Sequence, residues 1–406
     1  MKFHRTLVQA VAETLQQIFV VGVYADKAVE QVLKHNPRWG SRDRRFIAQT
    51  VYGMVRWWRK LNVILDGDER DAPNYYHLFA VWQILNGVEL PKWEEFEGVE
   101  ASKVLERCQK ISLVRKYRES IPDWLDEIGS DELGEAAWEK ELHELNKEAT
   151  VVLRVNTLKT APQKLKQTLL EQGIEINGPI AGSALWDRVK KDAVIVKRQN
   201  LVALPEYKQG LFEVQDASSQ LVAPFLHLKP GMTVIDACAG AGGKSLHIAA
   251  IMENKGKIIS MDVEERKLVE LKRRAERAGA KIIQTQLINA ATISRLRNTA
   301  DRLLLDVPCS GLGVLKRNPD AKWKLTREFI QEIKKVQQEI ISNYSQMLKP
   351  GGIMIYATCS ILPGENQHQV EQFLNKNKGV FEFIEDRKVL PSEGFDGFYM
   401  AAIRKL

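Results

Sequence analysis

Cysteine is scarce in this chain, whose 406 residues contain only Cys108, Cys238, Cys309 and Cys359. None of the four forms a CxxC pair, which argues against a zinc ribbon and against a thioredoxin-like redox site. Four thiols in a chain of this length are typical of a reducing compartment and not of a disulfide-linked scaffold. We therefore expect neither structural disulfides nor a metal site.

Long apolar runs are lacking as well. No stretch of 18 apolar residues occurs, so we expect no membrane-spanning helix. The first residues, MKFHRTLVQAVAETLQQ, lack the apolar run of a secretory signal peptide, and a cytoplasmic location is the expectation. The chain also contains no internal repeat and no low-complexity tract.

The charge and composition are those of an ordinary soluble globular protein. Hydrophobic residues make up 44% and charged residues 27% of the chain, which is long enough for two or three domains. The net charge is 59 − 52 = +7 and the isoelectric point is near 9.0. This basic excess is compatible with a nucleic-acid partner but does not require one. A monomer is the expected oligomeric state.

The hydrophobic pattern changes twice along the chain. Residues 1–145 are predicted to be helical, with Leu7, Val11 and Leu15 at helical spacing. Residues 146–210 begin with the β-branched run TVVLRVNTL and are predicted to form a small α/β subdomain.

Residues 211–406 alternate between short apolar runs and helical patterns. This alternation predicts a parallel sheet covered by helices on both faces, and hence an α/β fold. The closing stretch, FEFIEDRKVLPSEGFDGFYMAAIRKL, predicts two further strands with an antiparallel arrangement.

A glycine-rich loop follows the predicted strand MTVIDAC and precedes a predicted helix. Glycines let the backbone approach a ligand closely, and free amides at a helix N-terminus favour an anionic group. We predict a ligand-binding loop here, formed by Cys238, Ala239, Gly240, Ala241, Gly242, Gly243 and Lys244.

Several interpretations of this loop compete. A P-loop of an ATPase requires a glycine where Cys238 stands, and the glycines do not fit the GxGxxG pattern of dinucleotide-binding folds. The loop does fit the D-x-x-x-G-x-G pattern of S-adenosylmethionine enzymes, beginning at Asp236. Asp262 ends the next strand, 262 − 242 = 20 residues beyond Gly242, where a carboxylate accepts both ribose hydroxyls. The remaining alternative is a structural turn with a surface aspartate.

Two cysteines follow predicted strands directly. Cys309 lies in DVPCSG after the strand DRLLL, and Cys359 lies in ATCS after the strand GGIMIY. In open α/β sheets the carboxyl ends of the strands form the edge where ligands bind. A single buried cysteine is usually a small apolar filler, but two at one edge indicate chemistry.

Methylation of cytosine at carbon 5 is a reaction that needs such thiols. Carbon 5 is a poor nucleophile until a thiolate adds to carbon 6, breaks the conjugation of the ring and makes carbon 5 electron-rich. The thiol must ionise, so an electropositive environment is expected around it. Asp306, at the start of DVPCSG, is the candidate to support the ring at nitrogen 3.

These motifs resemble the RNA cytosine-5 methyltransferase family, and specifically its bacterial RsmB-type ribosomal RNA members. The resemblance rests on CAGAGGK (238–244), DVPCSG (306–311) and TCS (358–360), and runs from about residue 150 to the C-terminus. RVNTLK, RNPDAKW, CSILPGENQHQVEQFL and DGFYMAAIRK also resemble family segments. RDRRFIAQTVYGMVRW resembles the NusB-like RNA-binding domain of these proteins more loosely.

The resemblance implies a three-part architecture and a cofactor. It implies a NusB-like helical domain over 1–145, an RRM-like α/β subdomain over 146–210 and a class I methyltransferase core over 211–406. That core would contain a Rossmann-like seven-stranded sheet and bind S-adenosylmethionine. The loop proline of the family is replaced by Ala241, and the adenine-contacting aspartate of the family is replaced by Asn289, whose side-chain oxygen can still accept a hydrogen bond.

The resemblance also implies the roles of the cysteines and the substrate. Cys359 matches the family's nucleophile, and Cys309 matches the cysteine that assists product release. The implied substrate is 16S ribosomal RNA, with transfer RNA as the nearest rival. DNA methyltransferases carry the nucleophile in the proline-cysteine element and lack the TCS partner, so the two cysteines together favour RNA. A non-catalytic RNA-binding assembly factor with this fold is the alternative outside enzymology.

Candidate RNA contacts lie in three basic clusters. The first consists of Arg154, Asn156 and Lys159 in RVNTLK, a segment that meets RNA in the family. The second combines Arg317 and Lys322 with Trp323, since basic groups and an aromatic ring are typical of single-stranded RNA surfaces. The third comprises Arg38, Arg42, Arg44 and Arg45. The alternatives are a solvated loop with a buried tryptophan and a merely charged helical face.

Overall fold

The computed structural model describes residues 3–65, 74–178 and 183–406, and its contacts divide the chain into two compact units. The first unit comprises residues 1–147 together with Leu315–Arg327, and the second comprises Glu148–Val314 and Glu328–Leu406. None of the described helices is long and apolar enough to cross a membrane.

The first unit is helical, as the hydrophobic pattern predicts. Helix α1 buries Val8, Val11 and Leu15 on one face, and Gly53 in α3 leaves room for the ring of Trp82 in α5. The helices of residues 1–147 are α1 (Arg5–Phe19), α2 (Ala25–His35), α3 (Ser41–Arg56), α4 (Trp58–Ile64), α5 (Tyr75–Leu85), α6 (Ala101–Ile111), α7 (Arg115–Arg118), α8 (Asp123–Leu133) and α9 (Glu135–Leu145).

Residues Leu315–Arg327, here called the inserted segment, complete this helical unit from far along the sequence. The indole Nε1 of Trp323 donates to the Val55 carbonyl at 2.7 Å, and its ring packs against the helical core. The Asp320 carboxylate accepts the first amide of α2, from Ala25, at 2.9 Å. The sequence pattern predicts that this segment belongs to the 211–406 core, because only long-range contacts assign it to the helical unit.

The second unit contains a three-stranded antiparallel sheet and a seven-stranded sheet. The ten described strands are β1 (Val151–Val155), β2 (Ala193–Val196), β3 (Phe212–Val214), β4 (Thr233–Asp236), β5 (Lys257–Asp262), β6 (Ile283–Leu287), β7 (Ala300–Asp306), β8 (Leu348–Thr358), β9 (Phe381–Val389) and β10 (Phe398–Lys405). The small sheet has the order β2-β1-β3 and therefore uses β3, beyond the predicted limit at residue 210.

The large sheet has the order β6-β5-β4-β7-β8-β10-β9 and matches the predicted α/β core. Its first five strands are parallel, whereas β10 pairs antiparallel with both β8 and β9, as the closing stretch of the sequence predicts. The remaining helices are α10 (Pro162–Glu171), α11 (Ala184–Val189), α12 (Pro205–Lys208), α13 (Ala217–Gln220), α14 (Val222–Phe225), α15 (Gly243–Ile251), α16 (Glu265–Ala278), α17 (Ala290–Arg295), α18 (Ala321–Lys324, in the inserted segment), α19 (Arg327–Tyr344) and α20 (Gln367–Lys376). Because β4, β7 and β8 are neighbours, the loops that follow them leave the same edge of the sheet.

Candidate active site

The two cysteine loops follow neighbouring parallel strands. In the β7–β8 ladder Asp306 pairs with Ala357, so that DVPCSG and TCS leave the sheet side by side. The Sγ atoms of Cys309 and Cys359 lie 3.4 Å apart. The structure thus brings together the two thiols that are separated by 50 residues of sequence.

Gly313, four residues after Cys309, lies against the backbone of Cys359. Its amide donates to the Cys359 carbonyl at 2.9 Å, and its own carbonyl accepts the Gly397 amide at 2.8 Å. A Cβ atom at this position would lie 2.3 Å from the Gly397 oxygen and 2.7 Å from the Cys359 oxygen. Only glycine fits at this crossing of three backbone segments, around Gly313, Cys359 and Gly397, without displacing one of them.

The pKa values of two thiols at this edge of the sheet, those of Cys309 and Cys238, are raised. Hydrogen bonding to Cys359, followed by burial, raises the pKa of the Cys309 thiol well above its ordinary value. Burial also raises the pKa of Cys238, and the carboxylates of Asp236, Asp306 and Asp262 add to that effect. In this arrangement both thiols keep their protons at neutral pH.

Lys244 and Asp306 form an ion pair beside the cysteines. The Lys244 Nζ atom donates to Asp306 Oδ2 at 2.6 Å. Burial alone would lower the pKa of Lys244, but Asp306, with help from Cys359 and Asp236, outweighs it and raises that pKa. The lysine predicted as a cofactor-loop residue is thus a protonated partner of the candidate catalytic aspartate.

The loop from Cys238 to Lys244 has the geometry that an anionic ligand needs. Gly240 and Gly242 have φ of 53° and 86°, in the left-handed region, and α15 begins at Gly243 with no side-chain cap. A Cβ atom at Gly240 would meet nothing within 4 Å, so the loop borders open space there. Free amides at this helix start suit the carboxylate of S-adenosylmethionine.

Asp262 contacts the same loop. Its Oδ2 accepts the Gly240 amide at 2.9 Å, and its Oδ1 accepts the Glu264 amide at 2.9 Å. Each oxygen keeps a second lone pair for a ribose hydroxyl, so the residues present fit the cofactor. Asn289 caps α17 by accepting the Thr292 amide at 2.9 Å, and its contact with adenine stays a prediction.

The RVNTLK residues have partners inside the second unit. Arg154 is 3% exposed and donates to the Gly243 carbonyl at 2.6 Å and to Gln215. Asn156 donates to the carbonyls of Gly210 and Ala278, and Lys159 donates to those of Gln209 and Arg277. Arg154 therefore contacts the start of α15 next to the cofactor loop, and Asn156 and Lys159 contact the end of α16. Lys159 is exposed, and its contact with RNA stays a prediction.

The second predicted RNA cluster lies in the inserted segment. Lys322 is 2% exposed and donates to Asn146 Oδ1 at 3.3 Å, while burial lowers its pKa well below the ordinary value. Trp323 is held at Val55 as described above, and Arg317 is half-buried. Sequence alone does not reveal such burial, because a run of basic residues looks the same on a surface as in a packed segment.

Asp236, at the end of β4, gives a pH-dependent prediction for stability. It is 1% exposed, its Oδ2 accepts the Ser245 hydroxyl, and burial raises its pKa to about 7. A carboxyl with a raised folded-state pKa stabilises the fold below its unfolded pKa, and that contribution is lost as the pH rises through 7. The slope is at most about 1.4 kcal/mol per pH unit.

We expect Asp236→Asn to remove this pH dependence. The free energy of unfolding of the variant, relative to wild type, should increase between pH 5 and pH 8 in urea titrations. Asp187, an exposed carboxylate outside the cofactor loop, provides the matched variant, Asp187→Asn. If the difference in unfolding free energy between Asp236→Asn and wild type stays constant over this pH range, Asp236 is ionised throughout it.

The doubly wound sheet, the glycine loop after β4 and the acidic end of β5 define an S-adenosylmethionine-dependent methyltransferase. The family described as 16S rRNA methyltransferase RsmB/F matches residues 223–404, and its ferredoxin-like domain matches residues 121–186. The chain belongs to this family, and it is a methyltransferase.

Similar proteins include two bacterial relatives. The chain is 31% identical to the probable ribosomal RNA small subunit methyltransferase B of Synechocystis sp., over 94% of this chain and 95% of that one. It is 32% identical to ribosomal RNA small subunit methyltransferase B of Proteus mirabilis over the full length of both. The crystal structure of a methyltransferase homolog from Pyrococcus horikoshii superposes with a TM-score of 0.61 at 27% identity, covering 72% of this chain and 98% of that one.

Proposed function

We propose that this enzyme methylates carbon 5 of a cytosine in ribosomal RNA of the small subunit, through a covalent adduct with Cys359. The observation that carries the proposal is the pair of thiols 3.4 Å apart, with the Lys244–Asp306 ion pair beside them. A methyltransferase that acts on an already nucleophilic atom has no need for two adjacent thiols.

Cys359 is the attacking group in this mechanism. Its thiolate forms a bond to carbon 6, and the electrons of the 5,6 double bond move through the ring to nitrogen 3. The Lys244–Asp306 pair supplies the proton that nitrogen 3 takes up, and it receives that proton back when the ring electrons return to carbon 5. Bound S-adenosylmethionine, held by the 238–244 loop and Asp262, supplies the methyl group that carbon 5 acquires.

Cys309 completes the cycle by exchanging protons. Its thiol keeps its proton at neutral pH, and it lies in hydrogen-bonding contact with Cys359. It donates this proton to the Cys359 sulfur and takes up the proton of carbon 5. The electrons of the carbon 5–hydrogen bond form the 5,6 double bond again, and the electrons of the carbon 6–sulfur bond go to the Cys359 sulfur. A thiolate with a raised pKa is a strong base, which suits this second step. Loss of the Cys359 proton to water restores the starting state.

Support for the RNA substrate comes from the relatives and from the helical unit. The relatives described above are named as ribosomal RNA small subunit methyltransferases. The helical unit exposes Arg38 just before α3 and Arg42 and Arg45 in its first turns. Basic side chains that track a phosphate backbone provide affinity without reading sequence. We assign RNA binding to this cluster in preference to RVNTLK and the inserted segment.

Nucleoside analysis by mass spectrometry tests the proposal. The enzyme and labelled S-adenosylmethionine would be offered unmodified small-subunit ribosomal RNA, transfer RNA and a DNA copy of the same sequence. We expect labelled 5-methylcytidine in the ribosomal RNA alone. Label in transfer RNA alone would reassign the substrate, and label at another atom of the base would refute the thiol mechanism. No label, together with no thermal shift by S-adenosylmethionine, would favour a non-catalytic assembly factor.

A further inference from the structure

Glu365 is a completely buried carboxylate that lies between the two cysteine loops. Six residues after Cys359, the chain makes a tight turn at Pro363–Glu365 before α20 begins. Burial of a carboxylate is costly unless hydrogen bonds compensate it, so a buried glutamate at this place requires an explanation. The proposed mechanism gives it no role.

The hydrogen bonds of Glu365 reach both loops. The residue after Cys309, Ser310, donates its amide to Glu365 Oε2 at 2.8 Å and its hydroxyl to Oε1. The residue after Cys359, Ser360, donates its hydroxyl to Oε1 at 2.6 Å. A third donor, Gln337 Nε2, lies 3.0 Å from Oε2 and 3.0 Å from the Pro308 carbonyl. One carboxylate thus holds the residues that follow both cysteines.

The neighbouring side chain acts on one loop only. Asn366 accepts the Thr358 hydroxyl and donates to the Ser360 carbonyl at 3.0 Å, and thereby brackets Cys359 alone. Glu365 is therefore the side chain of this turn that connects the two thiol-bearing segments to each other. Strand pairing ends at Asp306 and Ala357, so the separation of the thiols beyond that point depends on connections between the loops. Besides Glu365, these are the contact of the Ser310 and Ser360 hydroxyls at 3.2 Å and the Gly313–Cys359 backbone hydrogen bond.

We propose that Glu365 is a positioning residue that sets the distance between the Cys309 and Cys359 thiols by clamping Ser310 and Ser360. The proposal rests on the function proposed above for its catalytic meaning, although the clamp itself is a statement about geometry. Hydrogen bonding to Cys359 and burial raise the pKa of Cys309, and the Glu365 carboxylate acts in the same direction. The clamp thus also keeps a negative charge near the thiol that must retain its proton.

The test measures the proximity of the thiols independently of methylation. Diamide, a two-electron oxidant that takes up two protons, joins adjacent thiols as a disulfide, which is counted as the Cys309–Cys359 peptide by mass spectrometry. We expect Glu365→Ala to slow this reaction at least tenfold. Glu365→Gln should stay within threefold of wild type, because an amide oxygen accepts the Ser310 amide and the hydroxyls reorient to meet the new donor.

A control variant is available on the same stretch of chain. Gln369 is buried, and its side chain is hydrogen-bonded to the Gly364 carbonyl at 2.8 Å and to Gln338, both outside the cysteine loops. Gln369→Ala should form the disulfide at the wild-type rate. In the methylation assay, Glu365→Ala should lower kcat about 100-fold, because small displacements of reacting groups are costly, and leave KM for S-adenosylmethionine unchanged.

Three outcomes would overturn the proposal. A wild-type rate of disulfide formation in Glu365→Ala would show that the clamp does not set the distance. If disulfide formation slows as much in Glu365→Gln as in Glu365→Ala, the charge of Glu365, and not its hydrogen bonds, sets the rate. If Glu365→Ala does not fold, Ser310→Ala combined with Ser360→Ala replaces it, and a wild-type rate in that variant would equally refute the clamp. Since disulfide formation needs no RNA, it remains interpretable even if wild type makes no 5-methylcytidine.

Discussion

Replacing Cys309 with alanine is expected to trap the enzyme on its RNA, whereas replacing Cys359 with alanine is expected to abolish both adduct and product. In the proposed mechanism one sulfur attacks carbon 6, and the other, 3.4 Å away, donates the proton that releases it and accepts the proton of carbon 5. Loss of a covalent nucleophile usually costs at least about 1,000-fold in rate. A denaturing gel of enzyme, small-subunit ribosomal RNA and S-adenosylmethionine would separate the adduct from free protein.

The double variant and a cysteine of the helical unit complete this experiment. Cys309→Ala combined with Cys359→Ala should form no adduct, and Cys108→Ala, in α6 of the helical unit, should behave as wild type. If the adduct instead persists in Cys359→Ala and disappears in Cys309→Ala, the roles of the two thiols are reversed. Such a result would leave the proximity of the thiols intact but would require a different proton path.

Gly313→Ala is expected to reduce methylation by about 100-fold while the protein remains folded. The added methyl group would lie 2.3 Å from the Gly397 oxygen and 2.7 Å from the Cys359 oxygen, so one of these backbone segments must move. Overpacking of this kind costs about 1–3 kcal/mol in stability. Displacement of the Cys359 carbonyl shifts the attacking sulfur with it, and reacting atoms tolerate such shifts poorly.

The measurements for this prediction are single-turnover methylation and urea denaturation. Gly178→Ala is the matched control, because an added Cβ there meets nothing within 4 Å and the φ angle is not in the left-handed region. Equal activity of Gly313→Ala and Gly178→Ala would show that the three crossing backbone segments accommodate the methyl group without moving the Cys359 thiol. If Gly313→Ala loses stability but not activity, the close approach at Gly313 matters for folding stability and not for the position of the thiol.

The sequence predicted the elements of the core and the common edge at which the two cysteines lie, because both depend on local patterns. Apolar runs of strand length gave β7 and β8, and the rule that ligands bind at the carboxyl ends of strands placed both cysteines at one edge. Neither inference needs knowledge of distant contacts. The alternation of strands and helices likewise predicted the α/β fold, which the sheet order confirms.

The sequence could not predict features that depend on which distant groups meet in space. Lys244 was assigned to the cofactor loop from its motif, but its ion pair with Asp306 follows from the packing of two strands. Glu365 lies within a segment that resembles the family, yet no local pattern shows that its carboxylate contacts Ser310, 55 residues earlier. The combination of Arg317 and Lys322 with Trp323 predicts an RNA surface, whereas Lys322 is buried in the helical unit.

The inserted segment has a consequence for how the protein is made. The helical unit is synthesised first, but it includes Leu315–Arg327, which the ribosome reaches only after 315 − 147 = 168 further residues. At typical elongation rates this interval lasts roughly 8–34 s. Throughout it, the groups that receive Trp323 and Asp320 lack their partners. Residues 1–147 are therefore synthesised before most of the second unit, but the helical unit is completed only after much of the second unit has been made.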